Sequence, residues 1–128
     1  MTFLIVEDSR PTRNLIKSYL SELKIGQKCF FFEVEDGEST LRILPDGHID
    51  FILLDWNLSS DMTGLDVLKA IRKIDKFKSM PIIMITGDTD KEKVIESIKY
   101  GANDFISKPI DKKLFAEKIL KAAANVKL

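Results

Sequence analysis

At 128 residues the chain is long enough for one domain that buries roughly two thirds of the surface its unfolded form exposes, with no need of disulfide or metal staples. Twenty basic and twenty acidic residues cancel to zero net charge, so no global field draws it to DNA, RNA or an anionic membrane. The lone cysteine, Cys29, cannot form an internal disulfide, and its place before Phe30, Phe31 and Phe32 predicts a buried small apolar residue in a reducing compartment. Met1 runs straight into a strand pattern with no basic leader, and no apolar stretch is long enough to span a bilayer. A soluble cytoplasmic protein without membrane insertion is the expectation.

Apolar strand runs alternate with segments of helical period. Phe3 to Val6 predicts the first strand, ending at Glu7 and Asp8. Leu15, Ile16, Tyr19, Leu20 and Leu23 then recur at helical spacing, with Arg13, Lys17, Ser18 and Glu22 on the outer side and Gly26 as the stop. Lys28 to Val34 predicts a second strand, and Asp36 and Gly37 open a short helix carrying Leu41 and Leu44 before the turn at Pro45, Asp46 and Gly47. Phe51 to Leu54 forms the third strand and hands its end to Asp55. A loop holding Ser59, Ser60, Asp61 and Gly64 leads into a helix with Leu65, Leu68 and Ile71 on one face.

Pro81 to Ile85 predicts the fourth strand, closing on Thr86, and the next helix carries Val94, Ile95 and Ile98 up to Gly101. Asp104 to Ser107 forms the fifth strand, ending at Lys108 and Pro109. Leu114, Phe115, Ile119, Ala122 and Ala123 line the inner face of a last helix ending near Val126, after which no DNA-binding segment is expected. These are five βα units, and three of the strands are apolar on both faces. That pattern predicts an α/β domain over residues 1–128: a doubly wound parallel sheet with helices on both sides. Ligands bind such sheets at the carboxyl ends of the strands, where Glu7, Asp8, Asp55, Thr86 and Lys108 all fall.

The chemistry of that rim is specific. Two carboxylates about 4 Å apart repel by about 4 kcal/mol at an effective dielectric of about 20, so an acidic cluster needs a proton or a cation. Oxygen donors without nearby His or Cys suit Mg²⁺. Lys108 adds a fixed charge and Thr86 a hydroxyl for phosphoryl oxygens. Asp55, central among them, is the candidate nucleophile, since a carboxylate can attack phosphorus to give an acyl phosphate.

Leu4 to Asp8, Leu53 to Asn57 with Gly64 and Leu65, Ile85 with Thr86, and Lys108 with Pro109 together resemble the receiver domain of two-component response regulators. Within that family the chain is most similar to the stand-alone chemotaxis receivers, on Asp55, Trp56, Asn57 and the later Gly64, Leu65, Leu68, Lys69, Ile71 and Arg72. The resemblance implies a flavodoxin-like (βα)5 sheet of order 2-1-3-4-5 with no output domain. It implies Asp55 as phosphoacceptor, and Asp8, Asp55, the Asn57 carbonyl and, through water, Glu7 as the Mg²⁺ set. Thr86 matches the switch hydroxyl, Phe105 the switch aromatic, Lys108 the phosphate-binding lysine, and Gly87 a small residue that leaves room for the donor. Pro109 would follow a cis peptide bond.

The implied function is a phosphorylation switch. A sensor histidine kinase or histidine phosphotransfer protein charges Asp55, and the monomer passes the signal to a downstream protein such as a flagellar motor switch component. It is not a turnover enzyme and catalyses only its own phosphorylation and dephosphorylation. A relay or phosphate-sink role fits the same residues. An aspartyl-nucleophile phosphatase is the alternative, though its usual second acid two residues on is here Asn57; a degenerate receiver is a third. One departure concerns the loop: the family places Pro four residues beyond the acceptor and Gly four beyond that, whereas Ser59 holds the first position and Gly64 arrives one late. Singly, each residue has a plainer role: Glu7 and Asp8 as helix caps, Asp55 as a turn residue, Lys108 as a surface charge. Lys91, Lys93, Lys112, Lys113 and Lys118 read as solvated helix faces and His48 as a surface turn residue. Asn57 and Asp88 could orient a hydrolytic water.

Overall fold

Strands buried on both faces set the architecture. In the computed structural model, which describes residues 1–25, 28–58, 61–87 and 91–124, the strands are β1 (Thr2–Val6), β2 (Phe30–Val34), β3 (Phe51–Asp55), β4 (Ile82–Thr86) and β5 (Asp104–Ser107). They form one parallel sheet of order β2-β1-β3-β4-β5. Every residue of β3 and β4 is buried. Leu4, Ile52, Leu54 and Met84 enter one core, and Phe3, Ile5, Phe51, Leu53 and Ile85 the other. Each such side chain contributes about 1.5–3 kcal/mol by leaving water, which is why these runs are continuous rather than alternating in hydrophobicity.

Among the described residues five α-helices cover the faces: α1 (Arg10–Ser21), α2 (Gly37–Ile43), α3 (Gly64–Arg72), α4 (Lys91–Lys99) and α5 (Lys112–Ala123). Ile16 and Leu20 of α1 join Phe115 and Ile119 of α5 in one core, while Val67, Leu68 and Ile71 of α3 enter the other. Helix starts follow their caps. Ser9 accepts from Thr12 N, Asp36 from Ser39 N and Asp111 from Leu114 N, and Thr63 with Asp66 makes a reciprocal capping box. Because Ser9 is the α1 cap, Glu7 and Asp8 are not spent on that task.

Several side chains lie elsewhere than the sequence predicts. α1 ends at Ser21, leaving Leu23 beyond it, and Gly26, Ser59, Ser60, Asp88 and Val126 fall outside the described residues. β2 starts at Phe30 rather than Lys28, and Cys29 is half-buried because it precedes an edge strand. Arg13 is buried: its guanidinium donates to the Glu7 carbonyl at 2.7 Å and pairs with Glu33 and Glu35 at 3.1 and 3.4 Å. On α4 the inward stripe is Val94 and Ser97, so Ile95 and Ile98, one position further round, stay exposed. Leu114 is exposed in the same way. Lys118 is half-buried rather than solvated. Its Nζ donates to the Phe105 carbonyl at 2.6 Å and Asp104 Oδ1 at 3.2 Å and lies 4.4 Å from the Phe105 ring centre. His48 is exposed in a left-handed turn.

Arg72 ties the far end of the sheet together. It donates twice to Gly101 O, at 3.0 and 2.7 Å, and once to Phe77 O at 2.7 Å. It also reaches Asn103 Oδ1 at 3.2 Å, the atom that accepts from Ile82 N. Gly101 needs its freedom here, with φ at +106°. Arg72→Met is expected to cost about 1–3 kcal/mol in urea unfolding, since it strands two carbonyls that the guanidinium now satisfies.

Candidate phosphoryl and metal site

The strand order reverses between β1 and β3: the chain leaves β1 toward β2 on one side and leaves β3 toward β4 on the other. A crevice must open above that junction, and the sequence places acids on both its walls. Glu7 and Asp8 follow β1, and Asp55 ends β3. Carboxylate oxygens of Glu7, Asp8 and Asp55 all lie within 4.8 Å of one another. Glu7 and Asp55 are buried, at 1% and 2% exposure, and Asp8 is half-exposed.

Lys108 enters from the end of β5. Its Nζ lies 3.1 Å from Glu7 Oε2 and 3.1 Å from Asp55 Oδ2. The peptide bond from Lys108 to Pro109 is cis, and Lys108 N–H donates to the Thr86 carbonyl at 2.8 Å, fixing the loop to β4. The other Asp55 oxygen, Oδ1, accepts from Asn57 N at 3.2 Å. Ser9 N donates to Glu7 Oε1 at 3.2 Å. Both buried carboxylates are therefore oriented at both oxygens or beside them. Thr86 is buried at the end of β4, and Gly87 beyond it is exposed, with open space where a side chain would stand. Phe105 is half-buried on β5 against the core, beside a cavity of about 270 Å³ that it lines with Lys91, Val94, Ile95 and Ser107.

Charge decides what this cluster needs. Burial pushes the Glu7 carboxyl up to about 7, helped by the hydrogen bond and negative charge of Asp55, while Lys108 and the Ser9 N–H pull the other way. Burial alone would depress the Lys108 ammonium, but Asp55 and Glu7 outweigh it and raise it. Three carboxylates against one ammonium leave a double negative charge when all are ionised, and Arg13, the nearest buried guanidinium, is taken up by Glu33 and Glu35. An all-oxygen donor set with that deficit fits a hard divalent cation.

A pH dependence follows. Glu7 titrates higher in the fold than its ordinary 4.5. Its favourable protonated form is fully present below that value and is lost as pH rises through about 7. In EDTA the urea midpoint is expected to fall between about pH 5 and about pH 8. Glu7→Gln, neutral throughout, should flatten that fall, and an unchanged slope would contradict this account.

The predicted residues thus converge: Glu7, Asp8, Asp55 and Lys108 share one crevice, Asn57 touches Asp55 through its N–H, and Thr86 stands at the adjoining strand end. The sequence reading missed the closeness of Gly64. Its N–H donates to the Trp56 carbonyl at 2.8 Å, and a Cβ there would stand 2.2 Å from the Asp55 carbonyl oxygen. The glycine after an acidic strand end was visible, but not what it faced.

A doubly wound sheet with an acidic triad and a lysine at its switch point defines a class of phosphoryl-handling signalling domains. The chain belongs to the response regulator receiver domain family, whose model matches residues 3–120. It is 35% identical over 126 residues to the chemotaxis protein CheY of Pseudomonas aeruginosa, covering 98% of each chain. It is 36% identical over 119 residues to chemotaxis protein CheY-3 of Vibrio cholerae, covering 93% of this chain and 88% of that one. The solved structure of Vibrio cholerae CheY4 superposes with a TM-score of 0.81 at 27% identity, covering 94% of this chain and 97% of that one. The protein is a phosphorylation-dependent signalling switch, a regulatory domain rather than a conventional enzyme. No helix among the described residues is long and apolar enough to cross a membrane.

Proposed function

We propose that Asp55 accepts a phosphoryl group from a phosphohistidine of a sensor kinase or phosphotransfer protein. An Asp55 carboxylate oxygen bonds to phosphorus as the P–N bond breaks, and the electron pair leaves with the imidazole. The observation that carries this is the double anchoring of Asp55, by Lys108 at one oxygen and Asn57 N–H at the other, beside an acidic set that calls for a divalent cation. Asp8, Asp55 and the Asn57 carbonyl would hold Mg²⁺ directly, with Glu7 behind them. Bound there, the ion neutralises charge on the transferring group. Lys108 holds a phosphoryl oxygen by its ammonium and Thr86 another by its hydroxyl, and the open space at Gly87 admits the donor.

New charge at the rim then biases a two-state surface on α4, β5 and α5. Phe105 sits between the rim and that surface, and the exposed Ile95 and Ile98 with the cavity beside Phe105 offer an apolar docking face. By likeness to the chemotaxis relatives, the downstream target is a flagellar motor switch component in the cytoplasm. The missing acid at Asn57 weighs against a turnover phosphatase.

Incubation with acetyl phosphate and Mg²⁺ tests the reading. Intact mass should rise by one phosphoryl group, the rise should vanish in EDTA, and Asp55→Asn should abolish it. Steady hydrolysis of an ordinary phosphomonoester such as p-nitrophenyl phosphate would support the phosphatase instead.

A further inference from the structure

The outer edge of the sheet carries an apolar feature that phosphoryl chemistry does not use. Among the described residues β2 pairs only with β1, yet Phe30 is 54% and Phe32 39% exposed. Native edge strands are usually blunted by charge, proline or cover; here two aromatics stand open two residues apart. Phe30 N donates to Met1 O at 2.9 Å, and Val34 O accepts from Glu7 N at 3.0 Å. In a parallel ladder the intervening residues then turn their N–H and C=O groups outward, which gives Phe31 and Glu33 free backbone groups along the edge.

The side chains on the Phe30 face form a polarised series. The two-residue period places Lys28, Phe30, Phe32, Val34 and Asp36 together. The Lys28 ammonium lies 5.6 Å from the Phe30 ring centre, and Asp36 keeps extended backbone at φ −147° and ψ 170°. Asp36 caps Ser39 N at 2.7 Å and keeps its negative charge at the end of the strand, with Ser39 and Arg42 holding its carboxyl below the ordinary value. A positive end, three apolar residues and a negative end are complementary to the same series run in reverse.

We propose that β2 is the interface of a two-fold dimer in which two copies of this chain join their five-stranded sheets edge to edge, antiparallel, about Phe32. That register sets Lys28 against Asp36 of the second copy at each end, Phe30 against Val34, and Phe32 against its own symmetry mate. Phe31 and Glu33 exchange the backbone hydrogen bonds. Neighbouring registers do less well. Centring on Phe31 sets Lys28 against Val34 and Cys29 against Glu33, and centring on Glu33 puts two like charges face to face. Self-complementarity is what selects a second copy over an unrelated extended peptide. The dimer departs from the monomer expected from sequence, and it leaves the Asp55 crevice untouched at the strand ends.

Sedimentation of the full chain tests it. The weight-average mass should climb with concentration toward twice the 14.6 kDa chain mass. Phe32→Lys should stay monomeric throughout while still taking up a phosphoryl group from acetyl phosphate, which shows it folded. Lys28→Glu should weaken dimerisation by about tenfold or more. For the register, Cys29→Ser combined with Phe32→Cys should cross-link on oxidation, since a non-hydrogen-bonded pair spaces Cα atoms by about 4.5 Å; Cys29→Ser with Phe30→Cys should not. A native chain that sediments as one copy at every concentration overturns the proposal. So does a dimer indifferent to Phe32→Lys, or one that cross-links through position 30 instead of 32.

Discussion

Gly64→Ala should lose roughly 3 kcal/mol or more of stability, and with it most phosphoryl uptake. A Cβ at position 64 would lie 2.2 Å from the Asp55 carbonyl oxygen, 2.6 Å from Trp56 Cα and 2.9 Å from the Asp55 carbonyl carbon. All three are backbone atoms, which cannot swing aside as a side-chain tip can. Relief requires the loop to part from the first turn of α3, breaking the Gly64 N–H bond to the Trp56 carbonyl and shifting the strand end that presents Asp55. Gly87→Ala is the control, because a Cβ there meets nothing within 4 Å. Urea unfolding of the two variants should diverge sharply, and acetyl phosphate uptake of Gly64→Ala should fall well below that of the native chain. A Gly64→Ala protein that melts and phosphorylates like the native chain would refute the close approach.

Lys108→Met should be the second severe change. It removes the cation 3.1 Å from both Glu7 Oε2 and Asp55 Oδ2 and leaves two buried carboxylates facing each other. Breaking such a pair costs about 2–4 kcal/mol when the acids must ionise. The Lys108 ammonium is raised in the fold, so its contribution is fully present below 10.5 and is lost only as pH rises beyond that. Across the neutral range the loss on substitution is therefore undiluted at the lysine itself. What varies is the acid side: Glu7, already raised to about 7 with Lys108 in place, goes up further without it, so as pH falls it takes a proton and the cost shrinks. Without a fixed charge for a phosphoryl oxygen, uptake should fall about 10²–10³-fold. Urea midpoints and single-turnover rates measured at two pH values check both parts.

The sheet was legible because burying a strand on both faces demands unbroken apolar runs, and Phe51 to Leu54 or Ile82 to Ile85 admit no other economical reading. The crevice was legible for a related reason: parallel strands all end at one rim, so Glu7, Asp8, Asp55, Thr86 and Lys108 are gathered by topology rather than by sequence proximity. What stayed hidden depends on partners distant in sequence. Arg13 reads as a solvent-facing charge until Glu33 on β2 and Glu35 just beyond it pair with its guanidinium. Lys118 reads as surface until it folds onto Phe105 and the Phe105 carbonyl. Ile95 and Ile98 have the spacing of a core stripe, yet the helix is rotated so that Val94 and Ser97 face inward. Periodicity identifies an apolar stripe without saying whether the fold or a partner covers it.

The extra residue before Gly64 bears on the same point. The late glycine makes its close approach to the Asp55 carbonyl all the same, and Ser59 and Ser60 of the loop lie outside the described residues.

The central claim is that Asp55 itself carries the phosphoryl group. Borohydride reduces an acyl phosphate to an alcohol, converting a phosphorylated aspartate to homoserine at that position alone. After charging with acetyl phosphate and Mg²⁺ and quenching with borohydride, peptide mass spectrometry should find homoserine at position 55 and intact carboxylates at Glu7 and Asp8. Reduction at Asp8 or Glu7, or none anywhere in a chain that has taken up phosphoryl mass, would contradict the account.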